Sequence, residues 1–206
     1  MNGEQMRQPA GVILAGGQST RMGGGDKGLL CLGDRPLLDR VIDRFQPQVC
    51  ELALNANGNP GRFVEFGLPV VADSIDGFAG PLAGVLAGLD WAALQGHTHI
   101  VTAAADTPFF PCDLVPRLLD AAQDKPIALA ATPDPKRGMA RHPTFGLWPV
   151  ALKDDLRQAL RDGVRKVVQW TDRHGAATAE FSADPFDPFF NVNTPEDMTR
   201  AEGLLR

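Results

Sequence analysis

Residues 11–27, GVILAGGQSTRMGGGDK, carry the side chains and spacing in this chain best suited to chemistry. Residues 12–15 read as a short buried strand, and the loop behind them holds five glycines together with Arg21 and Lys27. Glycine lets backbone N–H groups come close to an anion and permits the positive φ that turns several of them inward. Arg21 and Lys27 add charged donors that match phosphate oxygens. A basic, glycine-rich loop at the C-terminal end of a strand fits a phosphate-rich ligand, a nucleotide before others. A Walker A loop is excluded, because Lys27 follows Asp26 and precedes Gly28 where that motif needs Ser or Thr after the lysine. The run from Gly23 to Gly28 matches G-x-G-x-x-G literally. However, it begins well past the strand and opens no helix long enough for a dinucleotide fingerprint.

Three further polar residues each follow an expected strand: Asn55 after 49–54, Asp73 after 68–72 and Asp106 after 100–105. Ligands of open parallel sheets bind beyond the C-terminal strand ends, so one topology gathers all three beside the glycine loop. Asp106 is the candidate for Mg²⁺, a hard ion that takes oxygen ligands; the competing role is a cap on the turn with Thr107 and Pro108. Asp73 either hydrogen-bonds a nucleotide or caps its turn with Ser74. No pairing of nucleophile and base stands out. Attack by a phosphate oxygen would need none, since alignment of two phosphates and neutralisation of the leaving group would carry the reaction.

The elements that must position these residues alternate. An amphipathic helix is expected over 36–45, with Leu37, Leu38, Val41, Ile42 and Phe45 on one face. Strands are expected at 49–54, 68–72 and 100–105, the last a continuous apolar run suited to a central position. Gly80-Pro81 opens a helix running to about Leu94, with Gly80, Gly84 and Gly88 spaced for close packing on a sheet. Asp113 is expected to cap a helix that faces inward through Leu114, Val115 and Leu118. A strand follows at 127–131, an exposed loop at 132–139, a strand at 145–148, helical runs at 152–161 and 164–171, and an edge strand at 177–181. Thr194, Pro195 and Asp197 spell a capping box that opens the last helix. The whole is a single α/β domain over 1–206, a three-layer Rossmann-like sandwich around a mostly parallel sheet, with 1–9 as a disordered extension.

The segment 14–27 resembles the signature of small nucleotidyltransferases related to sugar-nucleotide pyrophosphorylases, and most closely that of the molybdenum cofactor guanylyltransferases. The resemblance continues in order at Asn55-Ala-Asn57, Asp73-Ser74, Gly80-Pro-Leu-Ala-Gly84, Asp106-Thr-Pro108, His142-Pro-Thr144 and Asn191-Val-Asn-Thr-Pro195. It implies a nucleotide-diphospho-sugar transferase type of fold and a Mg²⁺-dependent transfer of GMP from GTP to the terminal phosphate of molybdopterin or Mo-molybdopterin. Arg21, Lys27 and Asp106 would be catalytic, with Asp106 the metal ligand. Leu14, Ala15, Gly16, Gly17, Lys27, Asn55, Asp73 and Asp106 would hold the nucleotide. It further implies other cofactor-biosynthesis proteins and apo-molybdoenzymes as partners. Two departures stand out: Gly58-Asn59 follows Asn-Ala-Asn where a basic residue is usual, and Arg141 precedes His-Pro-Thr where aspartate is common. Arg137, Arg141, Arg165 and Lys166 are candidates for a basic rim around the acceptor, or are solvated charges. Asn191 and Asn193 either contact the second substrate or serve as turn residues. His142 reads as structural. The alternatives are a molybdopterin cytidylyltransferase, a sugar-phosphate nucleotidyltransferase and, from another class, a non-catalytic nucleotide-binding protein.

Bulk properties agree with this reading. A chain of 206 residues with 44% apolar and 22% charged residues is ordinary for a globular protein. A net charge of −5 without a basic run argues against nucleic acid as a partner. No apolar run is long enough for a bilayer span, and the polar N-terminus is unlike a signal peptide. Cys31, Cys50 and Cys112 form no C-x-x-C pair, which fits reduced thiols in a cytoplasmic protein.

Overall fold

The computed structural model describes residues 8–16, 26–75, 77, 80–136 and 138–205. The first apolar run forms β1 (Ala10–Leu14). A short antiparallel pair, β2 (Cys31–Leu32) and β3 (Arg35–Pro36), precedes helix α1 (Leu37–Phe45). β4 (Leu52–Asn55), β5 (Val70–Val71), α2 (Pro81–Leu94), β6 (His99–Ala104) and α3 (Leu114–Ala121) follow. The C-terminal part adds β7 (Ala128–Asp134), β8 (Gly138–Pro149), α4 (Lys153–Arg161), α5 (Val167–Arg173), β9 (Ala177–Glu180) and α6 (Pro195–Gly203). Seven strands make one sheet in the order β5-β4-β1-β6-β8-β7-β9, and only β8 runs against its neighbours.

The strand sequences alternate so as to feed both faces of this sheet. Ile13, Leu54 and Val101 pack with Leu38, Val41 and Phe45 of α1 and with Leu114 and Leu118 of α3. Val12, Ala53 and Ile100 pack on the other face with Leu82, Val85 and Leu89 of α2, Leu156 of α4 and Trp170 of α5. Three layers result, as expected. Gly84 and Gly88 let α2 lie directly on the sheet. A Cβ at Gly88 would come within 2.9 Å of Val12, and one at Gly84 within 2.3 Å of the Asn55 side-chain oxygen. A third apolar cluster joins Leu32, Leu37, Phe109, Val192 and Ala201, and seats the C-terminal segment.

Three expectations require correction. Asp113 makes no side-chain cap on α3. Gln48 takes that place from a distance, its Oε1 accepting from Val115 N at 3.0 Å, while Asp113 pairs with Arg117 at 3.7 Å. The loop expected at 132–139 is largely strand, because Thr132, Pro133 and Asp134 pair with Ala140, Met139 and Gly138 across a tight hairpin. Its proline and charges belong to an arm that projects past the end of β6, where water can reach them. Pro9 is not part of a loose extension: it is buried, and its carbonyl accepts from Cys50 N at 3.1 Å. The helix starts at α2 and α6 are as read. At α6 the Thr194 hydroxyl accepts from Asp197 N and the Asp197 carboxylate accepts from Thr194 N, a complete capping box.

Candidate active site

The parallel strands order as β5-β4-β1-β6, so the direction of winding reverses between β1 and β6. That is the switch point at which open α/β sheets bind ligands. A cavity of about 800 Å³ opens there. Leu14 at the end of β1 with Ala15 and Gly16 behind it, Asn55 at the end of β4 with Asn57 behind it, Asp73 after β5 and Asp106 after β6 all line it. Lys27 and Gly28 enter from the end of the glycine loop, Thr144 from β8 and Asn191 from the C-terminal segment. Arg21 and Gly17 lie outside the described residues, as does Arg137.

The sheet itself decides which backbone groups face the cavity. Ala15 N donates to Asn55 O at 2.9 Å, and Leu14 O accepts from Ala105 N at 3.1 Å. Gly16 is therefore the first residue past the sheet hydrogen bonds, and no described residue stands within 4 Å of where a side chain would be. Behind it, Gly28 packs against Ala105, bringing Lys27 close to the turn after β6.

On the β4 and β5 side, Asp73 is held by two asparagines. Asn55 Nδ2 donates to Asp73 Oδ1 at 3.0 Å and to Val71 O at 3.1 Å. Asn57 Nδ2 donates to Asp73 Oδ2 at 2.7 Å, and Asp73 N donates back to Asn57 Oδ1 at 2.8 Å. Asn55 is buried and its Nδ2 fixes Asp73, while the residue itself lines the cavity. Each Asp73 oxygen keeps further acceptor capacity.

On the β6 side, Lys27 Nζ lies 3.5 Å from Asp106 Oδ2 and also donates to Asn193 Oδ1. The C-terminal segment is tied to the same turn. Val192 N donates to Asp106 O at 2.8 Å, and the Thr107 hydroxyl donates to Asn191 Oδ1 at 2.6 Å. Asp197 of the capping box also accepts from Asn193 N at 3.0 Å, so the start of α6 fixes the asparagine that meets Lys27.

The acceptor side is less complete. Between Leu129↔Gly146 and Ala130↔His142 the pairing of β7 with β8 skips residues 143–145, a bulge that delivers Thr144 to the cavity. His142 stacks on Phe189 with centroids 4.4 Å apart, and its Nε2 shares a hydrogen bond with the Thr132 hydroxyl at 2.8 Å. Burial pushes its pKa down, with the Asp187 charge opposing. These contacts agree with the structural reading of His142. Of the expected basic rim, Arg141 is paired with Asp172 at 2.6 Å, and Arg165 Nη1 donates to the carbonyls of Leu160 and Val164. Neither of these nor Lys166 lines the cavity.

One residue near the site, Arg62, escaped the sequence reading: it grips Asp26, the residue before Lys27. Thr107, expected as a turn residue, also holds Asn191. The signal for Arg62 was the missing basic residue after Asn-Ala-Asn. A turn in which Asn59 Oδ1 accepts from Gly61 N brings the chain back and supplies the charge three residues after Asn59.

Fold and site together are those of a nucleotidyltransferase. The family model of the MobA-like NTP transferase domain matches residues 11–177. The molybdenum cofactor guanylyltransferase of Mesorhizobium japonicum is 52% identical over 205 residues, covering 97% of each chain. That of Rhodopseudomonas palustris strain BisB5 is 54% identical over 196 residues, 94% of this chain and 92% of the relative. In fold, the chain resembles molybdopterin-guanine dinucleotide biosynthesis protein A from Archaeoglobus fulgidus, with a TM-score of 0.70 at 21% identity over 95% of this chain and 98% of that one. CMP:2-keto-3-deoxy-manno-octonic acid synthetase, solved with CTP, gives 0.71 at 15% identity over 97% and 98%. The chain belongs to the MobA-like NTP transferase family and, within it, to the molybdenum cofactor guanylyltransferases.

Proposed function

We propose that the chain transfers GMP from GTP to the terminal phosphate of molybdopterin or Mo-molybdopterin, forming the guanine dinucleotide and releasing pyrophosphate. The observation that carries this reading is the convergence of Lys27, Asp106 and the fixed Asp73 carboxylate on one cavity at the switch point of the sheet. Asp73 serves the nucleoside. A guanine Watson–Crick edge presents two adjacent donor groups to a carboxylate, whereas cytosine presents one, so a fixed carboxylate favours GTP over CTP. Lys27 and Arg21 neutralise the triphosphate, the former held by Asp106 and Asn193 before any ligand arrives. The backbone from Leu14 to Gly16 borders the phosphates closely because no side chain intervenes at Gly16. The acceptor phosphate is already anionic, so the residues here align and neutralise rather than remove a proton.

Asp106 fits the Mg²⁺ that the family implies. Its carboxylate faces the cavity at a strand end, about one-fifth exposed. Among the described residues, no group of three or more His, Cys, Asp or Glu could hold a metal. A site with a single carboxylate, completed by phosphate oxygens and water, is the arrangement Mg²⁺ commonly adopts. When bound, the ion would offset charge on the reacting phosphates.

Pyrophosphate release measured with GTP, CTP and molybdopterin tests the proposal. Turnover is expected with GTP; turnover with CTP and not GTP would move the chain to the cytidylyltransferases. Sugar phosphates as acceptors are expected to give none.

A further inference from the structure

Asp26 and Arg62 have no part in the transfer as derived above, yet they are built into the site with more precision than a surface ion pair requires. Arg62 Nε donates to Asp26 Oδ2 and Nη2 donates to Oδ1 at 3.2 Å, a two-pronged pair. The same guanidinium donates from Nη2 to Asn57 O and from Nη1 to Asn59 O, both at 2.6 Å. It lies 4.6 Å from the ring centre of Phe63, which is buried. The side chains are only 17% and 28% exposed. An isolated exposed pair contributes little, but a guanidinium committed to a carboxylate, two carbonyls and an aromatic face has one orientation available.

What the pair connects gives it meaning. Asn57, whose carbonyl Arg62 holds, exchanges two hydrogen bonds with Asp73 through its side chain. Asp26 adjoins Lys27, which reaches Asp106 and Asn193. Arg62 therefore closes a run of contacts from the nucleoside side of the cavity, through Asn57, to the phosphate side at Lys27. It also neutralises a carboxylate one residue from the lysine meant for a triphosphate.

We infer that Arg62 is a positioning residue for nucleotide binding: through Asp26 it fixes Lys27, and through Asn57 it couples that placement to Asp73. The inference rests on the nucleotidyl transfer proposed above. Its test compares the full-length chain with Arg62→Gln, Arg62→Lys, Asp26→Asn and the Asp26→Asn/Arg62→Gln double variant. The readouts are kcat, KM for nucleotide, KM for molybdopterin and the thermal midpoint, with ratios taken using whichever nucleotide the wild type turns over. Failure of the assignment to GTP is thereby separate from failure of the positioning role. Loss of a charge-assisted contact at this site is expected to raise KM for nucleotide about tenfold in Arg62→Gln. KM for molybdopterin should stay within about twofold. The double variant should recover part of the loss, because no uncompensated carboxylate remains beside Lys27. Arg62→Lys should resemble Arg62→Gln, since an ammonium cannot span the carboxylate and both carbonyls. An unchanged KM for nucleotide in Arg62→Gln would overturn the inference. So would a parallel rise in both KM values in step with a lower thermal midpoint, because that is general loosening of the fold.

Discussion

On the side of β5, β4, β1 and β6, all strands run parallel, and most of the groups that face the cavity hang from the turn after a strand. On the side of β8, β7 and β9, one strand is reversed, and Thr144 and Asn191 reach the cavity from a bulge and a coil segment. The difference lies in what sets position. In the first half, strand register is enough: once Leu14 pairs with Asn55 and Ala104, the residues that follow are at one edge. In the second half, position depends on ties between distant segments, such as Val192 N to Asp106 O and Thr107 to Asn191.

Asp106 is where the two halves meet, and its loss should have the largest effect. Asp106→Asn keeps the backbone carbonyl that holds Val192 and removes only the charge, so the C-terminal segment should remain in place. Turnover is expected to fall about a thousandfold, as for loss of a group that stabilises transition-state charge. GTP affinity should stay within a few-fold. Unchanged turnover in magnesium buffer would remove Asp106 from the mechanism and place the metal anchor elsewhere.

The next largest effect separates packing from site geometry within the parallel half. In Gly84→Ala the new Cβ would meet the Asn55 side-chain oxygen at 2.3 Å and Leu14 at 2.9 Å, and Asn55 is buried and bonded to Val71 and Asp73. In Gly88→Ala the atoms nearest the Cβ would be those of Val12 and Ile100 at 2.9–3.2 Å, rather than those of Asn55. Overpacking should cost about 1–3 kcal/mol in each variant. Only Gly84→Ala should also raise KM for GTP, because Asn55 must shift and Asp73 with it. Thermal unfolding and steady-state kinetics on both variants decide this, and equal KM values would show that Asn55 does not set Asp73.

The same division explains what could be read from the chain alone. Strand-like segments followed by Asn55, Asp73 and Asp106 are local signals, so the parallel half and the residues that line its cavity were legible. The hairpin of β7 and β8 was not, because Pro133, Asp134 and Lys136 have turn chemistry while Thr132, with its hydroxyl bonded to His142, is buried in the sheet. The cap on α3 was misread for a related reason. Asp113 has the right type and place, but Gln48 already supplies the acceptor from another part of the chain. Arg62 lies in a segment with no periodic pattern, and only the fold shows that it reaches Asp26. Arg21, expected on the triphosphate, falls outside the described residues, so its role still rests on sequence.

The smallest effect tests whether acid sensitivity belongs to the acceptor half. His142 is half-buried between Thr132 and Phe189, and burial holds its pKa below the ordinary imidazole value despite the Asp187 charge. The unfolded chain therefore takes up a proton at about pH 6.5 that the folded chain resists. Its contribution is fully present above that pH and is lost as pH falls toward the folded value. His99, also lowered by burial, acts in the same direction and remains in any His142 variant. His142→Gln is neutral throughout and keeps a polar partner for Thr132, so it should lose less stability than wild type between pH 7 and 5. The difference in slope should be below about 1.4 kcal/mol per pH unit, the limit for one proton. Urea unfolding of both proteins across this range measures it. Equal slopes would mean that His142 accepts its proton without leaving the Phe189 stack, and acid sensitivity would then have to be sought at His99, on the N-terminal end of β6 rather than in the acceptor wall.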